Sequence, residues 1–444
     1  MRKTVTLSVL ISVILTLATA FIVARYFVYK KVQEVIVREL NALRDNGVHV
    51  RFDSIHAHWV KNYIHVEALT IQKISAEISC TNSEFMTAEH LELKGFDLIH
   101  FLLRHELSFR SVTVTRPHAF FYENSDFFKS RTDSPDRPVI VLVKFIHLSN
   151  AYLEWIDSSS CTIKTKFQSG IDLSHLKLEL GRQKPLWDLS GASLHDIELE
   201  LPEDLYSMHI KDIRIDNIKH EAVLDSLKII PLMEKIEFGR KKGYEIDRIE
   251  GEVPFIRMTG FVAGILDTPK VAAHTVEIQM FLRIFRDKRL PFKDKTTKLP
   301  REYLDDLSSQ LEIDTLKVIQ SFISYEEFDE EADSSGRVFF DNLRATITNI
   351  SNGDNANRIA TLEASALFLG DGLIRINGTF PPGGKKKYFI EGNLQGLNLR
   401  RINPMLEPHC KIRIEEGTMD NLSFRFHYNN TRADGKVELN YHRL

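Results

Sequence analysis

Cysteine is scarce. Cys80, Cys161 and Cys410 are the three in 444 residues, and no CxxC or Cys/His spacing suits a structural zinc. Nothing in that scatter predicts a disulfide framework. A basic excess is missing too: 58 Lys and Arg stand against 61 Asp and Glu, a net charge of −3. Without a global positive field, nucleic acid is excluded as a partner. Catalytic signatures are also lacking. There is no Gly-x-Ser-x-Gly, HExxH or GxGxxG, and Lys385-Lys386-Lys387 after Gly383-Gly384 does not follow the P-loop order. The sequence therefore predicts neither an enzyme nor a cofactor. The composition, 43% hydrophobic and 27% charged, excludes wholesale disorder.

One long apolar run is present. Thr4 to Ala24 carries no charge, and a helix of that length is roughly 30 Å long, about one hydrocarbon core. Ala18-Thr19-Ala20 resembles a signal-peptide cleavage site, but the run continues through Phe21-Ile22-Val23, which favours an uncleaved anchor over residues 1–25. Residues 26–47 follow as an amphipathic helix. Val28, Val32, Val35, Ile36, Leu40 and Leu43 recur at three- and four-residue spacing before Gly47.

From Val48 the period becomes two. Val48, Val50 and Phe52 alternate with polar residues, as do Ile197, Leu199 and Leu201. Leu107 and Phe109, then Val112 and Val114, predict one strand with a bulge. Val276, Ile278, Met280, Leu282 and Ile284 share one strand face, and Leu422, Phe424 and Phe426 share another. Asp371-Gly372, Pro381 to Gly384 and Asp434-Gly435 read as turns. Helices are expected only at 26–46, Phe96–Arg104 and Pro300–Leu307, and 123–138 reads as a polar loop. The strand around Tyr152 and its hairpin are echoed by the strand around Phe322 and its hairpin, which suggests a quasi-repetitive sheet.

Two clusters are read as bland. His56 and His58 share a strand face at a spacing that suits metal, with no third ligand evident from the sequence. The run Glu326, Glu327, Asp329, Glu330 and Glu331 reads as a solvated hairpin loop.

The chain resembles the AsmA-like family, which includes TamB-type envelope proteins. The resemblance lies in the opening span and helix, then Gly95-Phe96-Asp97-Leu98-Ile99 leading into Leu107 to Ala119. It continues at Phe285 to Phe292 with Leu299-Pro300, at Leu397-Asn398-Leu399 with Ile402 to Leu406, at Ile412 to Asp420, and in the closing Gly435 to Tyr441. It implies a mainly β fold: an N-terminal transmembrane helix, then an elongated, curved antiparallel β-groove with a few short helices over 48–444. It also implies a single pass in a Gram-negative inner membrane, with Met1 cytoplasmic and the bulk periplasmic. The implied function is phospholipid transfer towards the outer membrane and support of envelope integrity. Alternation fits this, because an apolar sheet face must be covered by protein or by a ligand such as an acyl lipid. Val276, Ile278, Met280, Leu282, Ile284, Leu422, Phe424 and Phe426 are the expected groove lining. An assembly factor for outer-membrane proteins, working through strand edges, and a structural envelope protein without ligand are the alternatives.

Overall fold

Alternation becomes strand from Val48 onward. The structure, a computed structural model, describes residue 30 and residues 48–58, 61–73, 84–104, 106–122, 139–157, 160–180, 186–264, 270–293, 298–307, 309–352, 358–382 and 387–443. The expected anchor (1–25), the amphipathic helix (26–47, apart from Lys30) and the polar loop (123–138) lie outside the described residues. Among the described residues no helix is long and apolar enough to cross a membrane. The chain divides into two units, residues 1–195 and 196–444, each taken by itself below.

In the first unit, β1 (Val48–Arg51) and β2 (Ser54–His58) both pair antiparallel with β3 (Tyr63–Lys73), and β3 pairs with β4 (Glu84–Lys94). β4 in turn pairs with β5 (Leu107–Thr115) and β6 (His118–Tyr122). Both of these run parallel to the long β7 (Val139–Ile156), which turns back into β8 (Ile163–Leu180). β9 (Leu186–Glu200) runs across the division. Helix α1 (Leu98–Arg104) starts where the Asp97 carboxylate accepts a hydrogen bond from the His100 amide, 2.9 Å. It buries Leu98 against Ile64, Phe96 and Phe109, while Ile99, Leu102 and Leu103 stay exposed. The bulge expected in β5 is not found: β5 keeps one register on β7 from Leu107↔Val141 to Thr115↔Ser149.

The second unit holds β10 (Tyr206–Asp216), β11 (Glu221–Pro231), β12 (Asp247–Thr259), the short β13 (Val262–Gly264) and β14 (Lys270–Asp287). After them come β15 (Gln310–Phe328), β16 (Gly336–Ser351), β17 (Ala360–Phe368), β18 (Gly372–Phe380), β19 (Tyr388–Asn398), β20 (Thr418–Tyr428) and β21 (Ala433–His442). Successive strands pair antiparallel, with β12 reaching β14 directly, and only β14 and β15 run parallel. Helices α2 (Lys235–Lys242), α3 (Pro300–Asp305) and α4 (Asn403–Cys410) interrupt the series.

Several expectations are corrected. The fold is mainly β with few short helices, but its pairing is mixed. Parallel neighbours need a long crossover. The chain pairs in parallel at β7 and again at β15, and alternation alone discloses neither. The internal echo corresponds to two long hairpins, β7–β8 and β15–β16, each entered by parallel pairing. Helix α2 is not among the expected helices, although Arg240, Lys241 and Lys242 close its last turn and Gly243 caps it at φ 75°. Helix α4, in the segment that begins at Ile402, is not among them either. Asp434-Gly435 is no turn: both residues belong to β21, and the turn is Asn429 to Arg432, where Asn429 Oδ1 accepts from two backbone amides.

The second unit's densest packing is at one end of its sheet. Leu369, Leu394, Leu397, Leu399 and Met419 form a buried cluster that Phe339, Phe368 and Ile414 border. Ile210, Val253, Phe285 and Tyr388 are buried elsewhere in this unit.

Candidate functional site

Register carries the apolar residues across the second unit in straight lines. Ile213, Leu224, Ile256, Ile278, Val318, Ala345, Ala364, Ile376, Gly392, Phe424 and Val437 are successive cross-strand partners. A second row runs Ile215, Ala222, Met258, Val276, Leu316, Ile347, Leu362, Gly378, Ile390, Phe426 and Gly435. Partners in register share a face, and rows two residues apart share it as well. Eleven strands thus present one apolar face without a charged interruption in either row.

Four of the expected lining residues fall on these lines, and the other four lie elsewhere. Ile278 and Phe424 share the first row, Val276 and Phe426 the second. Leu282 pairs with Ile323, which meets Phe340 and then Phe368. Leu422 pairs with Leu394 and borders the buried cluster. Ile284 pairs with Tyr325. Met280 sits at a register shift, where its amide donates to Ser321 Oγ at 2.9 Å instead of to a regular ladder partner. Val276 is 5% exposed, and the other seven are half-buried.

Two glycines explain gaps that alternation alone leaves unexplained. Gly392 stands opposite Phe424, and a Cβ there would fall 2.6 Å from Phe424 Cζ and 2.5 Å from the Arg375 carbonyl oxygen. Gly435 likewise leaves room for the Phe426 ring. Mid-strand glycine followed by a ring on the neighbouring strand is the sequence signal that was available for this packing.

The opposite face is polar. Glu277, Lys317, Thr346, Glu363, Asn377, Glu391, Arg425 and Lys436 form one row. Lys317 lies 3.7 Å from Glu277, Arg425 lies 3.1 Å from Glu391, and Lys436 pairs with Glu438. A cavity of 890 Å³ opens on this side, bordered chiefly by the polar rows of β15 to β21. Of the eight expected lining residues, only Phe424 borders it.

The acidic run divides: Asp329, Glu330 and Glu331 lie in the β15–β16 hairpin loop, as expected, but the first two residues do not. Glu326 and Glu327 end strand β15, and Glu327 is 7% exposed. Its carboxylate accepts from Tyr325 Oη at 3.0 Å, lies 2.7 Å from Lys288 Nζ and lies 3.2 Å from His409 Nε2 of α4. This hub fastens α4 to the end of the β15–β16 hairpin. Burial and the Glu327 carboxylate push the Tyr325 phenol well above its usual range. Asp287, 4% exposed, accepts from Arg289 Nε at 2.7 Å and Nη2 at 2.8 Å, which holds its carboxyl below the ordinary value.

In the first unit, His65 lies directly opposite His56, a third imidazole that the linear spacing of His56 and His58 did not disclose. Even so, no group of three ligand side chains among the described residues converges for a metal ion. Cys161 is disulfide-bonded and Cys410 is a free, exposed thiol. The expectation of no disulfide is thereby corrected, because distance along the chain does not limit contact in the fold.

No protein-family model matches the sequence, and no curated protein matches it.

Proposed function

We propose that this chain is a lipid-holding envelope protein of the AsmA-like kind, anchored in the inner membrane and working in the periplasm. On this reading acyl chains lie along the apolar rows, with Ile278, Phe424 and their neighbours as contact surface, and phospholipid moves towards the outer membrane. One observation carries it. In the row through Ile278 and Phe424 no residue is fully buried, and Val437 is 53% exposed. A row of eleven apolar residues packed as an ordinary core is expected to be fully covered. Acyl chains supply the missing cover at about 0.8 kcal/mol per buried methylene. The disulfide at Cys161 suits an oxidising compartment such as the periplasm.

Native mass spectrometry of gently extracted protein should show bound phospholipid. A lipid-free spectrum, with the rows occupied by nothing, favours the structural alternative. The assembly-factor reading rests on a different feature. Among the described residues β21 is paired on one side only, with Leu439 and Tyr441 exposed beside Val437. Crosslinks from β21 to outer-membrane protein precursors are its test.

A further inference from the structure

The polar face holds two guanidinium groups without a partner among the described residues. Arg344 on β16, Ser365 on β17 and Arg375 on β18 are successive cross-strand partners, and Asn393 and Ser423 continue the row. All five border the 890 Å³ cavity. Among the described residues the side chain of neither Arg344 nor Arg375 makes a hydrogen bond or ion pair. The cavity's other cations are engaged: Lys317 by Glu277, Arg425 by Glu391 and Lys436 by Glu438.

Two strand spacings separate the arginines, about 9.6 Å between Cα atoms. In register, Arg344 and Arg375 flank Ser365 on one face of the sheet. Planar guanidinium forks match the oxygens of a phosphate group two at a time. The Ser365 hydroxyl adds a neutral donor beneath, and Asn393 adds its amide beside Arg375. Three carboxylates border the cavity, and two of them are engaged, Glu391 by Arg425 and Glu438 by Lys436. Glu363, two residues from Ser365 on β17, borders the same cavity and pairs with neither arginine among the described residues.

We propose that Arg344 and Arg375, with Ser365 between them, form a binding site for a phosphate group. The site lies on the face opposite the apolar rows, so it stands or falls independently of the lipid-holding reading. The phosphate belongs either to a soluble phosphate compound or to a lipid headgroup.

Calorimetric titration of the full chain in detergent distinguishes the two sources. One arm uses inorganic phosphate, the other dihexanoyl phosphatidylglycerol below its micelle concentration. Saturable binding of either probe is expected, and the probe that binds names the source. Arg344→Gln and Arg375→Gln should each weaken it about tenfold or more. Arg425→Gln, which removes the same charge from the same cavity, should leave it within about twofold. Glu363→Gln should tighten it, because the competing carboxylate is gone. All four side chains are at the solvent-facing surface, and unchanged circular dichroism melting will confirm that the variants fold. Binding of neither probe overturns the proposal. So does an equal loss in Arg425→Gln, which would reduce the effect to net charge.

Discussion

Ile278 and Phe424 lie 146 positions apart in sequence yet occupy one cross-strand row, joined through Val318, Ala345, Ala364, Ile376 and Gly392. Neither is fully buried. A charge introduced at either position therefore meets partial solvent and not a sealed core.

Ile278→Asp and Phe424→Asp should lose bound phospholipid while costing about 1–2 kcal/mol of stability. Leu397→Asp is the contrast. Leu397 is 0% exposed, and the same change there should cost several kcal/mol, enough to threaten folding. Lipid occupancy by mass spectrometry and thermal melts read both. If all three variants unfold alike, the apolar rows are ordinary core.

Gly392→Val should destabilise by about 1–3 kcal/mol, because the new side chain overlaps the Phe424 ring and the Arg375 carbonyl. Adding Phe424→Ala should recover part of that loss, since the two positions share one space. Urea unfolding of the two single variants and the double variant gives the coupling. Strict additivity counts against the ring-over-glycine packing.

Asp287→Asn should destabilise by about 2–3 kcal/mol at neutral pH, because it breaks a two-pronged bond from Arg289 to a buried carboxylate. The pH dependence follows from the lowered carboxyl pKa. Wild-type Asp287 contributes fully above its unfolded value of about 3.9 and loses that contribution as pH falls through the depressed folded value. The melting difference between wild type and variant should thus be constant from pH 7 to about pH 5 and shrink in stronger acid. A difference that grows in acid contradicts the pairing.

Cys410 should react with a maleimide without reductant, and Cys161 only after reduction. Reduction should lower stability by about 2–4 kcal/mol. Peptide mapping after labelling and melts with and without dithiothreitol check this. Free labelling of Cys161 in the untreated protein contradicts the disulfide.

Alternation is a local property, because successive side chains of a strand point to opposite faces whatever the strand pairs with. For that reason the sequence by itself determined that Val276, Ile278, Leu282 and Ile284 share a face, that Leu422, Phe424 and Phe426 share one, and that the fold is mainly β. It also determined α1 and α3, whose entry residues Asp97 and Pro300 are legible in line. Tertiary structure alone decided that Ile278 meets Phe424, and Val276 meets Phe426, in common rows, since each row passes through five intervening strands and depends on every register between them. It decided the parallel return of β15 onto β14, and it turned Glu327 from an apparent loop residue into a buried hub by bringing Lys288 and His409 to it. It also decided where the cavity opens. Register shifts fall beside the positive-φ residues Gln320 and Asn342, and the cavity lies on the polar side, where Arg344 and Arg375 have no side-chain partner among the described residues.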